Sequence, residues 1–301
     1  MAFATLLAVD SRAGVGGSVS GTVKDISNAV VPNAAVKATN LDTGVRQQVA
    51  TNDRGFYSFP DLPVGRYDLA IERTGFKPYQ RRGLVINADS ALKVDVVMQL
   101  GEQAETVTVS ESEVRVDTVS TQMGEVVSGA TMTTQALNGR SYTDLLAIQP
   151  SVVPLTSMQS NSIVMAGVTG AINPSGELNP GNLSINGQRE SANGFMVDGS
   201  DVQEHMNGGT SIIPNLDSIA EFRVLTNNFD AEYGNYNGGI VNLITKSGTE
   251  QFHGGGFEFL RNTDLDSRNF FAPTRAGFQQ NQFGGTVGGP IRKGKAFFFG
   301  D

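Results

Sequence analysis

The sequence predicts a mainly β protein: an N-terminal β-sandwich, a mixed α+β region, then the first strands of an incomplete β-barrel. Three observations carry this reading. Residues 16–101 divide into short alternating runs separated by turn signals at 8–12-residue spacing, the pattern of a sandwich or barrel. Residues 229–301 hold 14 of the 36 Gly and 11 of the 17 Phe, so the end of the chain is built differently from its beginning. No stretch of 18 apolar residues occurs, which excludes a membrane-spanning helix in these 301 residues and leaves strand-built spans open.

In the sandwich region, Ser18–Asp25 alternates with Val19, Gly21 and Val23 on one face. Val30–Pro32 bends the chain, and Ala34–Asn40 puts Val36 and Ala38 on alternate positions. Asp42-Thr43-Gly44 and Asn52-Asp53-Arg54-Gly55 are turns bounding a strand over Val45–Thr51. Phe56–Phe59 follows, with a third break at Pro60–Gly65. Tyr67, Leu69 and Ile71 alternate with Asp68, Ala70 and Glu72, and Leu84–Ile86 and Val94–Met98 complete the set. At this size the region can bury a core of its own.

Charge then divides the chain. Residues 16–101 carry 10 basic and 8 acidic groups, residues 102–130 carry 1 and 6, residues 131–248 carry 4 and 10, and residues 249–301 carry 6 and 5. The steps mark five segments: a leader or signal remnant at 1–15, the sandwich at 16–101, an acidic linker at 102–130, a polar second domain at 131–248 and barrel strands at 249–301. Within the linker, Glu105-Thr106-Val107-Thr108-Val109-Ser110 is β-prone but too short to bury itself. It suits either the last strand of the sandwich, plain linker, or a strand added to a partner's sheet edge.

In the second domain Asn138-Gly139 signals a turn, and Ser141 with Asp144 is close to a capping box for a short helix ending at Pro150. About 30 residues rich in Ser, Asn and Gly follow. Leu183–Glu190 and Phe195–Asp201 read as strand and turn, Pro214–Thr226 as a helical turn leading into a strand, and Gly238–Gly248 as a strand. In the last segment Gln251–Arg261 alternates over a length suited to a transmembrane barrel strand. A polar loop, Asn262 to Gln280, leads to a strand at Gln282–Gly289, a basic turn at Pro290–Lys295 and a third strand from Ala296.

Two resemblances rest on these residues. Gly21-Thr-Val-Lys-Asp, Val31-Pro-Asn-Ala, Thr51-Asn-Asp-Arg-Gly-Phe-Tyr-Ser-Phe and Leu62-Pro-Val-Gly-Arg-Tyr resemble the carboxypeptidase regulatory-like domain, which implies a transthyretin-like, carbohydrate-binding-like sandwich and no peptidase activity. Leu137-Asn-Gly-Arg-Ser-Tyr-Thr-Asp-Leu-Leu, Asn186-Gly-Gln-Arg, Asp198-Gly-Ser-Asp, Ile219-Ala-Glu-Phe, Ala231-Glu-Tyr-Gly and Gly238-Gly-Ile-Val-Asn-Leu-Ile-Thr-Lys-Ser-Gly-Thr resemble, in order, the plug domain of TonB-dependent outer-membrane transporters of the Oar-like group. Asn281-Gln-Phe-Gly-Gly-Thr-Val-Gly-Gly-Pro is similar to the opening of the Oar-like barrel. The resemblance implies outer-membrane location, a siderophore, glycan or similar nutrient as substrate, and a TonB-type energy-transducing partner. It makes Glu105, Thr106, Val107, Thr108, Val109 and Ser110 the TonB-box candidate. A plugged outer-membrane barrel needs about 22 strands, so three strands lead to the expectation of an N-terminal fragment.

Composition narrows the alternatives. With no Cys and only His205 and His253, a disulfide framework, a Cys-ligated zinc and a three-His metal site are excluded. A formal charge of −8 gives no basic footprint for nucleic acid. The expectation is therefore no enzyme activity and no cofactor. The rival class is a secreted or surface β-sandwich module binding carbohydrate or protein. A remote third is a penicillin-interacting serine enzyme, since Ser90-Ala-Leu-Lys93, Ser191-Ala-Asn193 and Lys246-Ser-Gly248 reproduce that group's three elements in order. Asp264, Asp266 and Asn269 are spaced like part of a calcium loop but lack its Gly and Glu.

Overall fold

The computed structural model describes residues 16–101, 107–110, 120, 122–135, 137, 140, 142–154, 183–203, 210–265, 267, 268, 270, 273–275, 277 and 279–301. The described chain forms two units, one running to Leu41 and over Arg46–Thr245, the other comprising Asp42–Val45 and Lys246–Asp301.

The first unit begins with a sandwich of nine strands: β1 Gly17–Asp25, β2 Ala35–Asn40, β3 Arg46–Ala50, β4 Phe56–Leu62, β5 Gly65–Glu72, β6 Tyr79–Ile86, β7 Ala91–Lys93, β8 Val96–Met98 and β9 Val107–Ser110. One sheet has β1 at its centre, antiparallel to β4 and parallel to β7 and β8. The other runs β3-β2-β5-β6-β9. The alternation read from β1 is the one found: Val19, Gly21 and Val23 point inward, and Val19 and Val23 meet Val36, Phe59, Leu69 and Ile71 in the core. Gly21 is required there, because a Cβ would stand 1.9 Å from the Val94 carbonyl oxygen. That carbonyl instead accepts a hydrogen bond from the Tyr57 hydroxyl at 2.7 Å. The Asn52–Gly55 turn is held by Asn52 Oδ1, which accepts from the Arg54 and Phe56 amides, with Gly55 at φ +69°. The expected break at Pro60 is displaced: β4 runs through Pro60 to Leu62, and the chain turns only at Pro63 and Val64. Pro60 lies on an end strand of its sheet, where a missing N–H costs no ladder bond.

The middle module contains strands β10 Met123–Ser128, β11 Val152–Pro154, β12 Leu183–Ile185, β13 Gly194–Val197, β14 Ser200–Asp201, β15 Ile219–Asn227 and β16 Ile240–Thr245, with helices α1 Gly129–Thr134 and α2 Thr143–Leu146. Its main sheet has the order β10-β15-β16-β13-β14. One face carries Phe222, Val224, Val241 and Leu243 and packs against Met132 of α1 and Tyr142, Leu145 and Leu146 at α2. Burial raises the Tyr142 phenol well above its ordinary pKa. The predicted helix is shorter than expected, and Tyr142, not Ser141, occupies its N-cap position, without a side-chain cap bond. Ser141 lies outside the described residues. Asp198 and Gly199, at φ +47° and +76°, form the tight turn between β13 and β14. Asp198 accepts hydrogen bonds from the Thr245 amide at 2.9 Å and hydroxyl at 2.6 Å, tying that turn to the end of β16.

The second unit is an antiparallel meander of β17 His253–Asn262, β18 Gln279–Arg292 and β19 Ala296–Gly300. The second strand is longer than predicted, continuing through Pro290 to Arg292. The pairing register shifts between Pro290 and Arg292, and such an irregularity accommodates a residue with no N–H. Gly284 faces Phe257, where a Cβ would lie 2.7 Å from the ring. Register also places Phe283 beside Glu258, so aromatics occupy both faces, because alternation within one strand does not dictate how the next is paired.

Candidate functional site

The TonB-box candidate is an edge strand of the sandwich. Val107, Thr108, Val109 and Ser110 form β9, which pairs in parallel with Tyr79, Gln80, Arg81 and Arg82 of β6. Glu105 and Thr106 lie outside the described residues. Twelve residues, 111–122, separate Ser110 from Met123, the first residue of β10. That strand is itself at the edge of the middle module's sheet.

A second arrangement, not foreseen from the sequence, joins the sandwich to the middle module. The face of β15 and β16 opposite the helices presents Glu221, Arg223 and Asn242, all nearly inaccessible to solvent. They close on the sandwich turn Asn87–Ser90. Glu221 Oε1 accepts from the Ala88 amide at 2.5 Å, and Arg223 Nη1 donates to the Ala88 carbonyl at 2.8 Å. Asp89, held at φ +53°, accepts from the Tyr233 hydroxyl at 2.6 Å and from Asn242 Nδ2 at 2.9 Å. One dipeptide is thereby gripped through its amide, its carbonyl and both carboxylate oxygens.

Electrostatics follow from burial. Desolvation pushes the Glu221 carboxyl up to about 6; the Ala88 amide and the Arg223 charge oppose that rise, and Asp89 adds to it. Burial also raises Tyr233, reinforced by the charge of Asp89. Hydrogen bonds to charged groups contribute about 1.5–3 kcal/mol each, but desolvating Glu221 and Arg223 offsets much of that gain. The clasp therefore specifies orientation more than it adds net stability. Beside it opens an acidic cleft of about 350 Å³, lined by Asp61, Asp89, Ser90, Asp230 and Glu232 among others. Burial, then the charges of Asp89 and Asp230, raise the Glu232 pKa. Among the described residues no three His, Asp or Glu are grouped to hold a metal ion.

The remaining motif residues have structural roles. The Ser90 hydroxyl donates to the Asn87 carbonyl of its own turn at 2.8 Å, and Lys93 pairs with Asp95 at 3.0 Å. Asn193 is fully buried, donating to the Leu183 carbonyl and accepting from the Gly239 amide. Ser90, Lys93 and Asn193 are thus occupied separately by a turn, a surface pair and a strand junction. Arg140, in the first of the six motifs, forms an ion pair with Asp217 at 2.6 Å, two residues before the motif that begins at Ile219. Asp201 accepts from the Tyr236 hydroxyl at 2.8 Å. Glu204, His205, Asp266 and Asn269 lie outside the described residues. Polar residues inside the apolar runs Ile219–Leu225 and Ile240–Ile244 are the sequence signal that marks the clasp.

Comparison with known proteins agrees with this order of parts. Residues 18–99 match the carboxypeptidase regulatory-like domain, and residues 244–301 match an outer membrane beta barrel domain. The TonB-dependent transporter Oar of Myxococcus xanthus is 26% identical over 297 residues, covering 94% of this chain and 26% of that protein's length. The siderophore receptor PirA of Acinetobacter baumannii is 22% identical, with a TM-score of 0.42, over 59% of this chain and 24% of PirA. The Bacillus anthracis TIE protein is 22% identical, with a TM-score of 0.25, over 29% of this chain and 18% of that one. The chain spans about a quarter of the length of the curated relative it matches. In this order of parts the chain is similar to a TonB-dependent transporter of the Oar kind, and its match to an outer membrane beta barrel domain indicates the outer membrane.

Proposed function

We propose that this chain is the periplasmic and lumen-blocking portion of a transporter that takes up a siderophore, a glycan or a similar nutrient. The middle module, residues 131–248 together with the preceding strand β10 and the start of α1, acts as the plug of the barrel that opens at residues 249–301. Glu105–Ser110 is the segment engaged by a TonB-type partner in the periplasm. The observation that supports this reading is connectivity. The segment leads through residues 111–122 directly into β10, an edge strand of the module's sheet. Tension on the segment therefore meets a strand held along one side only, by its pairing with β15 from Met123↔Asn227 to Ser128↔Glu221. An edge strand is the part of a sheet that leaves with the fewest broken bonds. Sheet edges also suit the partner's side, since an extended segment adds to an exposed edge through backbone bonds.

The test is a binding titration of the chain with the purified periplasmic domain of the host's TonB protein. Removing Glu105–Ser110 is expected to abolish binding, and unchanged binding would show that the box lies elsewhere.

A further inference from the structure

We propose that the clasp between the sandwich and the middle module is a proton-coupled latch, which seats the Asn87–Ser90 turn on β15 and β16 as pH falls and releases it, with both modules still folded, as pH rises. The fit of the turn makes the contact specific. Ala88 uses its amide and carbonyl on Glu221 and Arg223, and Asp89 uses both carboxylate oxygens on Tyr233 and Asn242. The Asp89 amide donates to the Gly16 carbonyl at 3.1 Å, so the turn is fixed on its own side as well. The module's side fits less completely. Arg223 Nε and Asn242 Oδ1 are buried and find no hydrogen-bond partner among the described residues. A buried polar atom left unpaired loses the hydration it would have in water, and release of the turn returns that hydration. The docked state is therefore specific but weakly held, as a contact that opens and closes requires.

Charge couples this contact to protons. Glu221 and Asp89 bring two carboxyls to the interface, Asp230 and Glu232 stand beside it at the cleft, and Arg223 supplies a cation. The strands flanking Glu221 place uncharged residues opposite it, Ser128 of β10 and Ile244 of β16. Tyr233 meets Asp89 as a neutral phenol. Docking carries Glu221 out of water and toward Asp89, and both changes favour its protonated form, against the Ala88 amide and Arg223. Its carboxyl accordingly stands at about 6 in the docked chain, against an ordinary 4.5. Glu232 moves the same way, through burial and then the charges of Asp89 and Asp230. Glu221 Oε1 can accept from the Ala88 amide with or without a proton on the other oxygen, so protonation keeps the bond that seats the turn. The state that binds a proton more tightly gains population as pH falls. The Glu221 contribution to docking is thus fully present below about pH 4.5 and lost as pH rises through about 6, which weakens docking about eightfold between pH 5 and pH 7.5. The connection between the modules permits release: residues 111–122 join β9 to β10 and reach about 40 Å when extended. The latch controls how firmly β15 and β16, the two most buried strands of the middle module, are braced on their second face.

The test follows the Ala88 amide by hydrogen exchange in the full 301-residue chain in detergent, with each rate divided by that of an unstructured amide at the same pH. Ala88 should be about eightfold better protected at pH 5 than at pH 7.5. The Ile71 and Val241 amides, in central strands of the two modules, should stay at least about a hundredfold better protected than Ala88 at both values, because they open only when a module unfolds. Glu221→Gln keeps the acceptor and removes the titration, and should cut the Ala88 ratio to less than half. Asp89→Asn suits the φ of +53° and still accepts from Tyr233, and should give an intermediate ratio. An Ala88 ratio near one in the unaltered chain, or a ratio that survives Glu221→Gln, would overturn the proposal. If the glutamine variant does not fold, Asp89→Asn decides, and an undiminished ratio there overturns it. Protection of Ala88 equal to that of Ile71 and Val241 at pH 7.5 would overturn it too, since the turn would then be released only by unfolding.

Discussion

The sandwich and the middle module are both β-sheet structures with apolar cores, yet they treat polar residues in opposite ways. In the sandwich, β1 and β2 alternate buried and half-buried positions along their length, and polar side chains turn outward. In the middle module, β15 and β16 are buried on both faces, and Glu221, Arg223 and Asn242 point inward among Leu225, Ile240 and Ile244. A strand that faces one core can spend its other side on solvent. A strand covered on both sides cannot, so a polar residue there must be matched by a particular neighbour. The matching neighbour is a turn of the sandwich. The comparison teaches that the second region's buried polarity is addressed to the first region.

The strongest test separates the two cores. Phe59→Ala in the sandwich and Phe222→Ala in the middle module each remove a ring that is at most 1% exposed, and each should cost about 3–5 kcal/mol in denaturant unfolding. Hydrogen exchange then distinguishes them. Phe222→Ala should expose the Ala88 amide as well, because its neighbours Glu221 and Arg223 hold that turn. Next, Arg223→Ala leaves Glu221 buried without its neighbouring cation and should cost about 3 kcal/mol, with the sandwich and middle module melting apart in calorimetry. A single unshifted transition would show that the clasp is incidental.

The pH dependence is subtler. Glu221 has an ordinary value of 4.5 and is raised to about 6 in the folded chain. The folded state thus binds the proton more tightly than the unfolded one. Its contribution is fully present below about pH 4.5 and is lost as pH rises through about 6. Over that window the shift corresponds to about 2 kcal/mol. Glu221→Gln, which keeps an acceptor for the Ala88 amide, should flatten the stability difference between pH 5 and pH 7.5; an unchanged slope would assign it to other groups. The smallest effect belongs to the sandwich surface. The Lys37–Glu72 pair is 3.0 Å long and well exposed, so Lys37→Ala should change stability by less than about 0.5 kcal/mol.

The same contrast explains what was legible in the amino-acid order. Inward alternation at Val19, Gly21 and Val23, and the turn at Asn52–Gly55, are local signals, and the structure follows them. Pro60 and Pro290 misled because a proline's meaning depends on which side of a strand is paired, which is a property of the sheet. The motifs containing Glu221, Tyr233 and Asn242 were visible as a series. Their convergence on Ala88 and Asp89 was not, since the contacts span more than 130 residues. The edge position of β9 was legible only as one of several uses for a short β-prone run. Its pairing with Tyr79–Arg82 depends on a neighbour chosen by the tertiary fold.

That pairing sets a kinetic and concentration problem for any partner. Eight residues separate Met98 of β8 from Val107, so β6 meets its own strand as a tethered competitor. Segments joined by a short link meet at effective concentrations of about a millimolar. A freely diffusing partner at micromolar levels would face that advantage of about a thousandfold on every encounter. Any strand that replaces β6 must therefore grip β9 far more tightly than β6 does. The short link thus makes the pairing of β9 with β6 the default against any competing strand.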